Sequence, residues 1–302
     1  MQNPPTVRKC LYAPPPTCYL TAHAIVQTVP PFTVTAPHQT SRKTSMLIVL
    51  APAKTLDFQK QRLTKRRSTP ALLKDSEILI GGLRRFSPIQ LSELMGIGHE
   101  LADATHRQFA AWTPPFTPAN AKQAILTFRG NAYVGLNADA FSADDFDNAQ
   151  QSLRILSGLY GVLRPLDLIQ PYRLEMATKL KTPRGKNLYE FWGTTITEAL
   201  MKELKRQKTP VLMNLSSNEY FKSIKANQLD ARIVTPDFKE ARGGTHKSIS
   251  AFSKKARGLM ASHIIRNRLT DVEDAKSFDA EGYRFNAKLS SGNDWIFTRK
   301  SA

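Results

Sequence analysis

Cysteine is scarce in this 302-residue sequence, since only Cys10 and Cys18 occur and both lie within the first 45 residues. Residues 46–302 therefore cannot hold a disulfide framework or a cysteine-ligated zinc ion, a pattern typical of a reducing compartment. Long apolar runs are also missing, because no stretch approaches the ~20 consecutive apolar residues that a membrane-spanning helix requires. These absences exclude a disulfide-stabilised scaffold for residues 46–302 and predict a protein without a transmembrane helix.

Residues 1–45 lack glycine, aspartate and glutamate, yet they contain eight of the nineteen prolines. Proline fixes its own backbone angle and has no amide hydrogen, so the runs APPPT and VPPF cannot form helix interiors or central strands. We predict either that this segment is a disordered extension or that Met46 is the natural start and the upstream codons are not translated. Residues 46–302 are predicted to form a single compact domain, because this length can bury a large core.

Acidic residues are few compared with basic ones. The sequence has 43 Lys and Arg against 25 Asp and Glu, giving a formal charge of +18 at pH 7. Residues 46–302 alone hold 39 of these basic residues and all 25 acidic ones, so this part still carries +14. A cationic surface attracts nucleic acids, acidic membranes or phosphorylated molecules. The hydrophobic fraction of 41% indicates a folded protein rather than a disordered one.

Strand-like and helix-like patterns alternate irregularly from residue 46 onwards. Short apolar or alternating runs predict strands at 46–52, 124–130, 132–136, 210–216, 231–238, 247–252, 282–287 and 294–300. Amphipathic spacing and capping signals predict helices at 70–86, 88–95, 98–112, 142–160, 187–207 and 253–269. This alternation predicts an α/β fold, with α+β as the alternative, built on a mixed sheet.

The segment LSELMGIGHELA, residues 91–102, matches the helix-hairpin-helix pattern of nucleic-acid-binding proteins. Gly96 and Gly98 allow a tight turn and a close approach of a phosphate to the backbone, while Ile97 fills the space between the two helices. The second helix begins at this turn, so its free amide groups and the positive end of its dipole face an anion. The alternative is a plain helical hairpin in which glycine serves only as a C-cap.

The hairpin and a group of basic residues together predict a surface for double-stranded or distorted DNA. The predicted DNA-binding residues are Gly96, Ile97, Gly98, His99, Lys54, Lys222, Lys225, Lys254, Lys255 and Arg257. Contacts of this kind grip phosphates without reading bases, so we expect binding to be largely independent of sequence and to weaken with salt. We expect a monomer without a membrane partner.

An alternative hypothesis is an enzyme, suggested by the segment GLYGVLRPLDLIQPYRLEM at residues 158–176. Here Asp167, Arg173 and Glu175 alternate with apolar residues, as in a partly buried polar site. Together with Glu219 they could act as acid or base on a phosphorylated or nucleotide-like substrate. The same charges could equally form structural ion pairs. Because no nucleophile can be assigned, we favour a protein that is not an enzyme.

Metal and cofactor signals are weak. Of the six histidines, only His99 and His106 lie near each other, and two helical turns separate them, which is too far for one ion. No GxSxG, HExxH or GxGxxG motif occurs. Asp144, Asp145 and Asp147 could bind iron, but acids in a first helical turn usually compensate the helix dipole. We therefore expect neither a metal site nor a cofactor.

Six stretches of the sequence resemble the YaaA family of bacterial peroxide-stress proteins. They are LAPAKTLDF, FTPANAKQAIL, FSADDFDNAQQSLRILSGLYGVLRPLDLIQPYRLEM, NLYEFWG, NEYFKS and SKKARGLM. The resemblance extends from Met46 to about residue 299, whereas residues 1–45 have no counterpart. Stretches of this length and number are too specific to arise by chance.

The resemblance implies a cytoplasmic protein that helps cells survive hydrogen peroxide and that is linked to lowering free intracellular iron. It also implies a compact α/β fold with a basic cleft and DNA binding assisted by a helix-hairpin-helix element. Residues 91–102 occupy the place of that element in this sequence.

Overall fold

The strands of this protein come mostly from short apolar runs, and its longer helices from segments with one apolar face. The computed structural model describes residues 46–206 and 210–300. The strands are β1 Met46–Leu50, β2 Thr55–Leu56, β3 Lys122–Gln123, β4 Phe128–Arg129, β5 Leu153–Ser157, β6 Gly161–Leu163, β7 Leu168–Ile169, β8 Val211–Leu215, β9 Arg232–Arg242, β10 Thr245–Lys247, β11 Arg284–Phe285 and β12 Asp294–Lys300. The α-helices are α1 Leu73–Leu83, α2 Pro88–Met95, α3 His99–Ala111, α4 Ala124–Thr127, α5 Asn131–Leu136, α6 Ala143–Ser152, α7 Leu188–Trp192, α8 Thr195–Leu204, α9 Asn218–Phe221 and α10 Ser250–Arg266.

Strand β1 lies in the interior of a mixed sheet with the order β11-β12-β9-β8-β1-β5-β6, and β10 pairs with β9. The five strands from β12 to β5 are parallel, while β6 and β11 pair antiparallel at the two edges. Ile48 of β1 is opposite Leu153 on one side and Met213 on the other. All of β1 is buried, as expected for a parallel strand covered on both faces. The predicted α/β class and mixed sheet are confirmed.

The direction of strand addition reverses beside β1. The chain passes from β1 to β5 on one side, then crosses to β8 on the other side, and continues outward through β9 and β12. The carboxyl ends of β1 and β8 therefore meet at a point where the connections diverge. In open α/β sheets, ligands bind in the crevice that forms at such a switch point.

Two predicted helix starts carry complete capping boxes. The Ser87 side chain accepts a hydrogen bond from the Gln90 amide, and the Gln90 side chain accepts one from the Ser87 amide. Ser142 and Asp145 form the same reciprocal pair at the start of α6. Because each box satisfies amide groups that have no partner inside the helix, these two starts could be located from the sequence.

Two predictions of strand structure are wrong. The segment 124–130 forms α4 and only two residues of strand, and the segment 132–136 belongs to α5. Both segments are apolar and rich in residues that favour strands. In the second segment, α5 packs tightly against α10. This tertiary contact overrides local preference, since strand propensity depends strongly on what a segment packs against.

Three further boundaries also differ from the prediction. The helix predicted at 142–160 ends at Ser152, and its apolar continuation becomes β5. The helix predicted at 187–207 is interrupted at Gly193, whose φ of 47° and ψ of −111° suit only glycine. Of the strand predicted at 247–252, only Lys247 is in a strand, β10, and the last three residues begin α10.

The described residues belong to one compact unit. The predictions for residues 1–45 fall outside the residues that the structure describes. Within 46–206 and 210–300, no helix is both long enough and apolar enough to cross a membrane.

Candidate functional site

A cavity of about 770 Å³ lies at the switch point of the sheet. Leu50, the last residue of β1, and Leu215, the last residue of β8, both line it. The loop that follows β1 and the first residues of α5, α9 and α10 complete its walls. The cavity therefore occupies the place where parallel α/β sheets bind their ligands.

The beginning of α10 forms one wall of the cavity. Ser250, Ser253, Lys254 and Arg257 all line it, and their spacing of three to four residues places them on one face of the helix. No side chain caps the amino end of this 17-residue helix. Its unpaired first amides and its dipole therefore add positive potential on the side of these residues.

Arg257 is a half-buried cation that lacks a partner. Its Nε atom is buried and makes no hydrogen bond, and the guanidinium makes no ion pair with any residue in the described ranges. Burial lowers the pKa of the Arg257 guanidinium, and the charge of Asp237 opposes this only in part. Asp237 itself accepts hydrogen bonds from the Phe238 amide and the Ser248 hydroxyl.

The opposite wall carries a shared carboxylate. Glu175 lies between two cations: its Oε2 is 2.7 Å from Lys54 Nζ, and its Oε1 is 3.8 Å from a terminal nitrogen of Arg173. The Nε atom of Arg173 is buried and has no hydrogen-bond partner. One acid therefore balances two bases here, and the local charge remains positive.

Glu219 lies at the same cavity, where α9 begins. Its Oε1 accepts a hydrogen bond from the Ala177 amide at 3.1 Å, and its backbone carbonyl accepts one from the Tyr189 hydroxyl at 3.0 Å. The first contact connects the short helix α9 to the loop after Glu175, and the second connects it to α7. Glu219 therefore helps to hold the wall of the cavity and presents a second carboxylate to it.

Three tyrosines contribute an aromatic surface to the cavity, namely Tyr133, Tyr172 and Tyr220. Burial raises the pKa of all three hydroxyls, so they remain neutral hydrogen-bonding groups. The Tyr133 hydroxyl donates to the Ala51 carbonyl at 3.1 Å. Tyr133, Tyr172 and Arg129 were not identified as site residues from the sequence. Their segments lie beside the ends of strands, and this position can be recognised only when the order of the strands in the sheet is known.

Six of the residues predicted from the sequence meet at this cavity: Lys54, Arg173, Glu175, Glu219, Lys254 and Arg257. The other four charged residues lie elsewhere. Asp167 is almost fully buried, where it accepts hydrogen bonds from the Ser68 hydroxyl at 2.6 Å and the Arg164 amide at 2.8 Å. Burial raises the pKa of this carboxyl, but its contacts are structural, and it does not line the cavity with the three other residues of the enzyme hypothesis.

The remaining predicted lysines are Lys222, Lys225 and Lys255. Lys255 forms an ion pair with Glu281 on the far side of α10 from Arg257. Lys222 is exposed and Lys225 is half-buried, and neither forms an ion pair among the described residues. None of the three lines the cavity. A basic cleft long enough for DNA therefore stays a prediction.

The segment 91–102 forms two helices joined by a turn. Gly96 ends α2 in the left-handed conformation with a φ of 60°. The Ile97 amide donates to the Ser92 carbonyl at 3.1 Å, and the Ser92 hydroxyl donates to the Ile97 carbonyl at 2.5 Å, which closes the turn. Gly96, Gly98 and His99 are exposed, and Ile97 packs partly against the core. Phosphate binding at this turn stays a prediction.

The acidic residues considered for iron are each engaged with protein groups. Asp144 pairs with Arg268 at 2.9 Å, Asp147 pairs with Arg66, and Asp145 belongs to the capping box of α6. Across 46–206 and 210–300, no group of three or more histidine, cysteine or acidic residues is arranged to hold a metal ion.

The sequence as a whole matches known proteins over most of its length. The family model described as peroxide stress protein YaaA matches residues 46–289. This chain belongs to the YaaA family. The resemblance predicted from the six sequence stretches is thereby confirmed, and every residue that lines the cavity lies within the YaaA match.

Individual relatives support the same assignment. The chain is 51% identical over 257 residues to a UPF0246 protein of Colwellia psychrerythraea, covering 85% of this chain and all of that protein. It is 51% identical over 255 residues to a UPF0246 protein of Teredinibacter turnerae and 52% identical over 255 residues to one of Saccharophagus degradans. Each of these two matches covers 84% of this chain and all of the relative.

Proposed function

We propose that this protein binds DNA through its phosphate backbone, largely without regard to base sequence, and thereby protects it during peroxide stress. The observation that supports this most directly is the exposed turn between α2 and α3. Gly98 precedes α3 without any side chain capping the helix, so the first amides of α3 point toward solvent. Such amides bind phosphate oxygens through hydrogen bonds and through the helix dipole.

The turn is suited to a phosphate for two further reasons. A β-carbon at either Gly96 or Gly98 would meet no atom within 4 Å, so the space in front of the turn is open. The hydrogen bonds between Ser92 and Ile97 hold the backbone in one conformation, so little conformational entropy is lost on binding. The +14 charge of residues 46–302 attracts DNA over longer distances.

The family assignment supports a role in peroxide stress, and our proposal adds DNA binding to that role. Free iron converts hydrogen peroxide into hydroxyl radicals, which attack DNA. In our proposal the protein covers DNA in the cytoplasm and takes part in limiting free iron, so both steps reduce oxidative damage. The carboxylates of α6 do not serve as iron ligands in this proposal, since they have protein partners.

Fluorescence anisotropy with a labelled DNA duplex at several salt concentrations tests the proposal. We expect affinity to fall steeply with salt, and two duplexes of unrelated sequence to bind within about threefold of each other. A duplex that shows no binding at low salt would refute the proposal.

A pair of variants tests the turn itself. Gly96→Glu places a carboxylate at the phosphate position, and we expect it to weaken duplex binding about tenfold through charge repulsion. Gly292→Glu is the control, because Gly292 is also exposed, has a φ of 54° and has nothing within 4 Å of its β-carbon position. Both variants carry the same charge change and comparable backbone strain. Equal loss of binding in the two would exclude the turn as the contact site.

A further inference from the structure

We infer that the cavity at the switch point binds a phosphate monoester carried by a nucleotide-sized molecule, with Arg257 and Lys254 holding the phosphate. This site is separate from the turn between α2 and α3 and does not depend on DNA binding there. A phosphate monoester carries a charge near −2 at neutral pH, which distinguishes it from the single charge of a DNA phosphodiester.

The first argument is the imbalance of charge in the cavity. Five cationic side chains line it against two carboxylates: Lys54, Arg129, Arg173, Lys254 and Arg257 against Glu175 and Glu219. Arg129 pairs with Asp57 and Asp139. Even without Arg129, four cations face two acids in a partly enclosed space. An anion with two negative charges would balance them.

The second argument is the pair of buried arginine nitrogens without partners. Buried side-chain nitrogen and oxygen atoms without a hydrogen bond occur at only two places in the described residues, the Nε atoms of Arg173 and Arg257, and both arginines line the cavity. A buried polar atom without a partner costs free energy, so proteins rarely retain one without a reason. A bound phosphate supplies acceptor oxygens for such guanidinium groups.

The third argument is the position of Arg257 on α10. Ser250, Ser253, Lys254 and Arg257 share one face of the helix, next to its uncapped amino end. Hydroxyl, ammonium and guanidinium donors thus converge with free backbone amides. This combination of donors, without a carboxylate on the same face, is that of a phosphate site.

The body of the ligand follows from the rest of the cavity. The aromatic rings of Tyr133, Tyr172 and Tyr220 and the apolar ends of β1 and β8 form its other surfaces. A volume of about 770 Å³ falls within the range of roughly 300–1,000 Å³ that small-molecule pockets occupy. A nucleotide has this size, and its base can contact the parts of these tyrosines that face the cavity. The phosphate can belong either to a free nucleotide or to the 5′ end of a nucleic acid strand.

Isothermal titration calorimetry on the full chain tests the site with defined compounds. Adenosine 5′-monophosphate is compared with adenosine, and a short single strand of DNA with a 5′-phosphate is compared with the same strand ending in a hydroxyl. We expect the phosphorylated member of at least one pair to bind about tenfold or more tightly. An effect only with the mononucleotide identifies a free nucleotide, and an effect only with the strand identifies a nucleic acid end. No preference in either pair would overturn the inference.

Matched variants on one helix locate the phosphate. Arg257→Gln removes the cavity charge, whereas Arg266→Gln removes an exposed charge that makes no ion pair in the described part of the chain. We expect Arg257→Gln to weaken binding of the phosphorylated compound by about tenfold to a hundredfold, and Arg266→Gln to leave it unchanged. Equal effects of the two substitutions would overturn the inference.

If Arg257 had only a structural role, Arg257→Gln would lower the stability of the ligand-free protein. Because Arg257 has no partner, Arg257→Gln should leave the ligand-free protein at least as stable to denaturant as the wild type. If this variant unfolds, Lys254→Gln decides, because Lys254 is exposed and its loss should not disturb the fold. Lys254→Gln should weaken binding of the phosphorylated compound that the wild type prefers several-fold, and unchanged binding would overturn the inference. Gly96→Glu should leave this binding intact, which separates this site from the DNA proposal.

Discussion

Gly135 and Gly258 face each other's backbones where α5 crosses α10. A β-carbon on Gly258 would lie 1.7 Å from the carbonyl oxygen of Ala132, and one on Gly135 would lie 2.1 Å from that of Lys255. No real β-carbon approaches another atom so closely, so the two helices touch through their main chains. This crossing fixes the wall of the cavity, since the first residues of α5 and α10 both line it.

Gly258→Ala should therefore destabilise the protein by about 3 kcal/mol or more, because the helices must separate to accommodate one methyl group. Gly81→Ala is the matched control. Gly81 lies in α1, is exposed and has nothing within 4 Å of its β-carbon position, so alanine there should stabilise by about 0.5–1 kcal/mol. Denaturant unfolding measures both. Changes of the same sign in the two variants would contradict the close crossing.

Glu175→Gln should strengthen anion binding. Its carboxylate neutralises Lys54 and Arg173, so removing its charge leaves both cations free to attract a phosphate. We expect adenosine 5′-monophosphate to bind several-fold tighter, the opposite of the effect of Arg257→Gln. Stability should change by less than about 1 kcal/mol, since the Lys54 side chain is 65% exposed and the 3.8 Å separation from Arg173 is too long for a hydrogen bond. Weaker binding in titration calorimetry would instead place Glu175 among the groups that hold the ligand.

Glu240→Gln should cost about 2–3 kcal/mol of unfolding free energy. Glu240 is 2% exposed, and one of its oxygens accepts hydrogen bonds from the Tyr283 hydroxyl at 2.6 Å and from Arg299 Nε at 2.7 Å. Removing the acid leaves a largely buried guanidinium with only the partly exposed Glu281 as its counter-charge. Glu77→Gln, an exposed acid without an ion pair among the described residues, should stay within about 0.5 kcal/mol. Equal stability of the two variants in denaturant unfolding would refute the prediction.

His263 should make stability depend on pH. Burial lowers its pKa below 6.5, although the charge of Asp279 opposes this effect. Below pH 6.5 the unfolded chain binds a proton at this residue more readily than the folded chain. The free energy of unfolding therefore falls as the pH drops through 6.5 and levels off below the lowered folded pKa.

His263→Gln should remove this dependence. Denaturant unfolding at about pH 7.5 and about pH 5.5 gives the change in stability for each protein. The variant should lose less stability over this interval than the wild type, and any lost contact of the side chain cancels in the comparison. Parallel losses in the two proteins would show that His263 does not contribute.

The sequence predicted best those elements whose signals are local. The strand at Met46–Leu50 and the helix starts at Ser87 and Ser142 are set by an apolar run and by capping residues a few positions apart. The error at 132–136 arose because α5 is stabilised by α10, more than a hundred residues later in the chain. No periodicity within the segment contains that information.

The sequence predicted which charged residues belong to the candidate site better than it predicted how they are arranged. Arg173 and Glu175 were identified because charges among apolar residues suggest a partly buried polar site, and Arg257 because it belongs to a group of basic residues; these three do meet at the cavity. Asp167 shows the limit of that reasoning, since the hydroxyl of the distant Ser68 and the nearby Arg164 amide satisfy it. Whether a buried charge finds a protein partner or remains free depends on distant segments, so the sequence alone could not separate these cases.

The strand order has a consequence for synthesis of the chain. The cavity forms only when β8 pairs with β1 and α10 supplies one of its walls. These elements come from distant parts of the sequence. An emerging polypeptide thus cannot form the site until nearly all of its length has left the ribosome. Affinity for the ligand would then report completed folding and would be absent from shortened translation products.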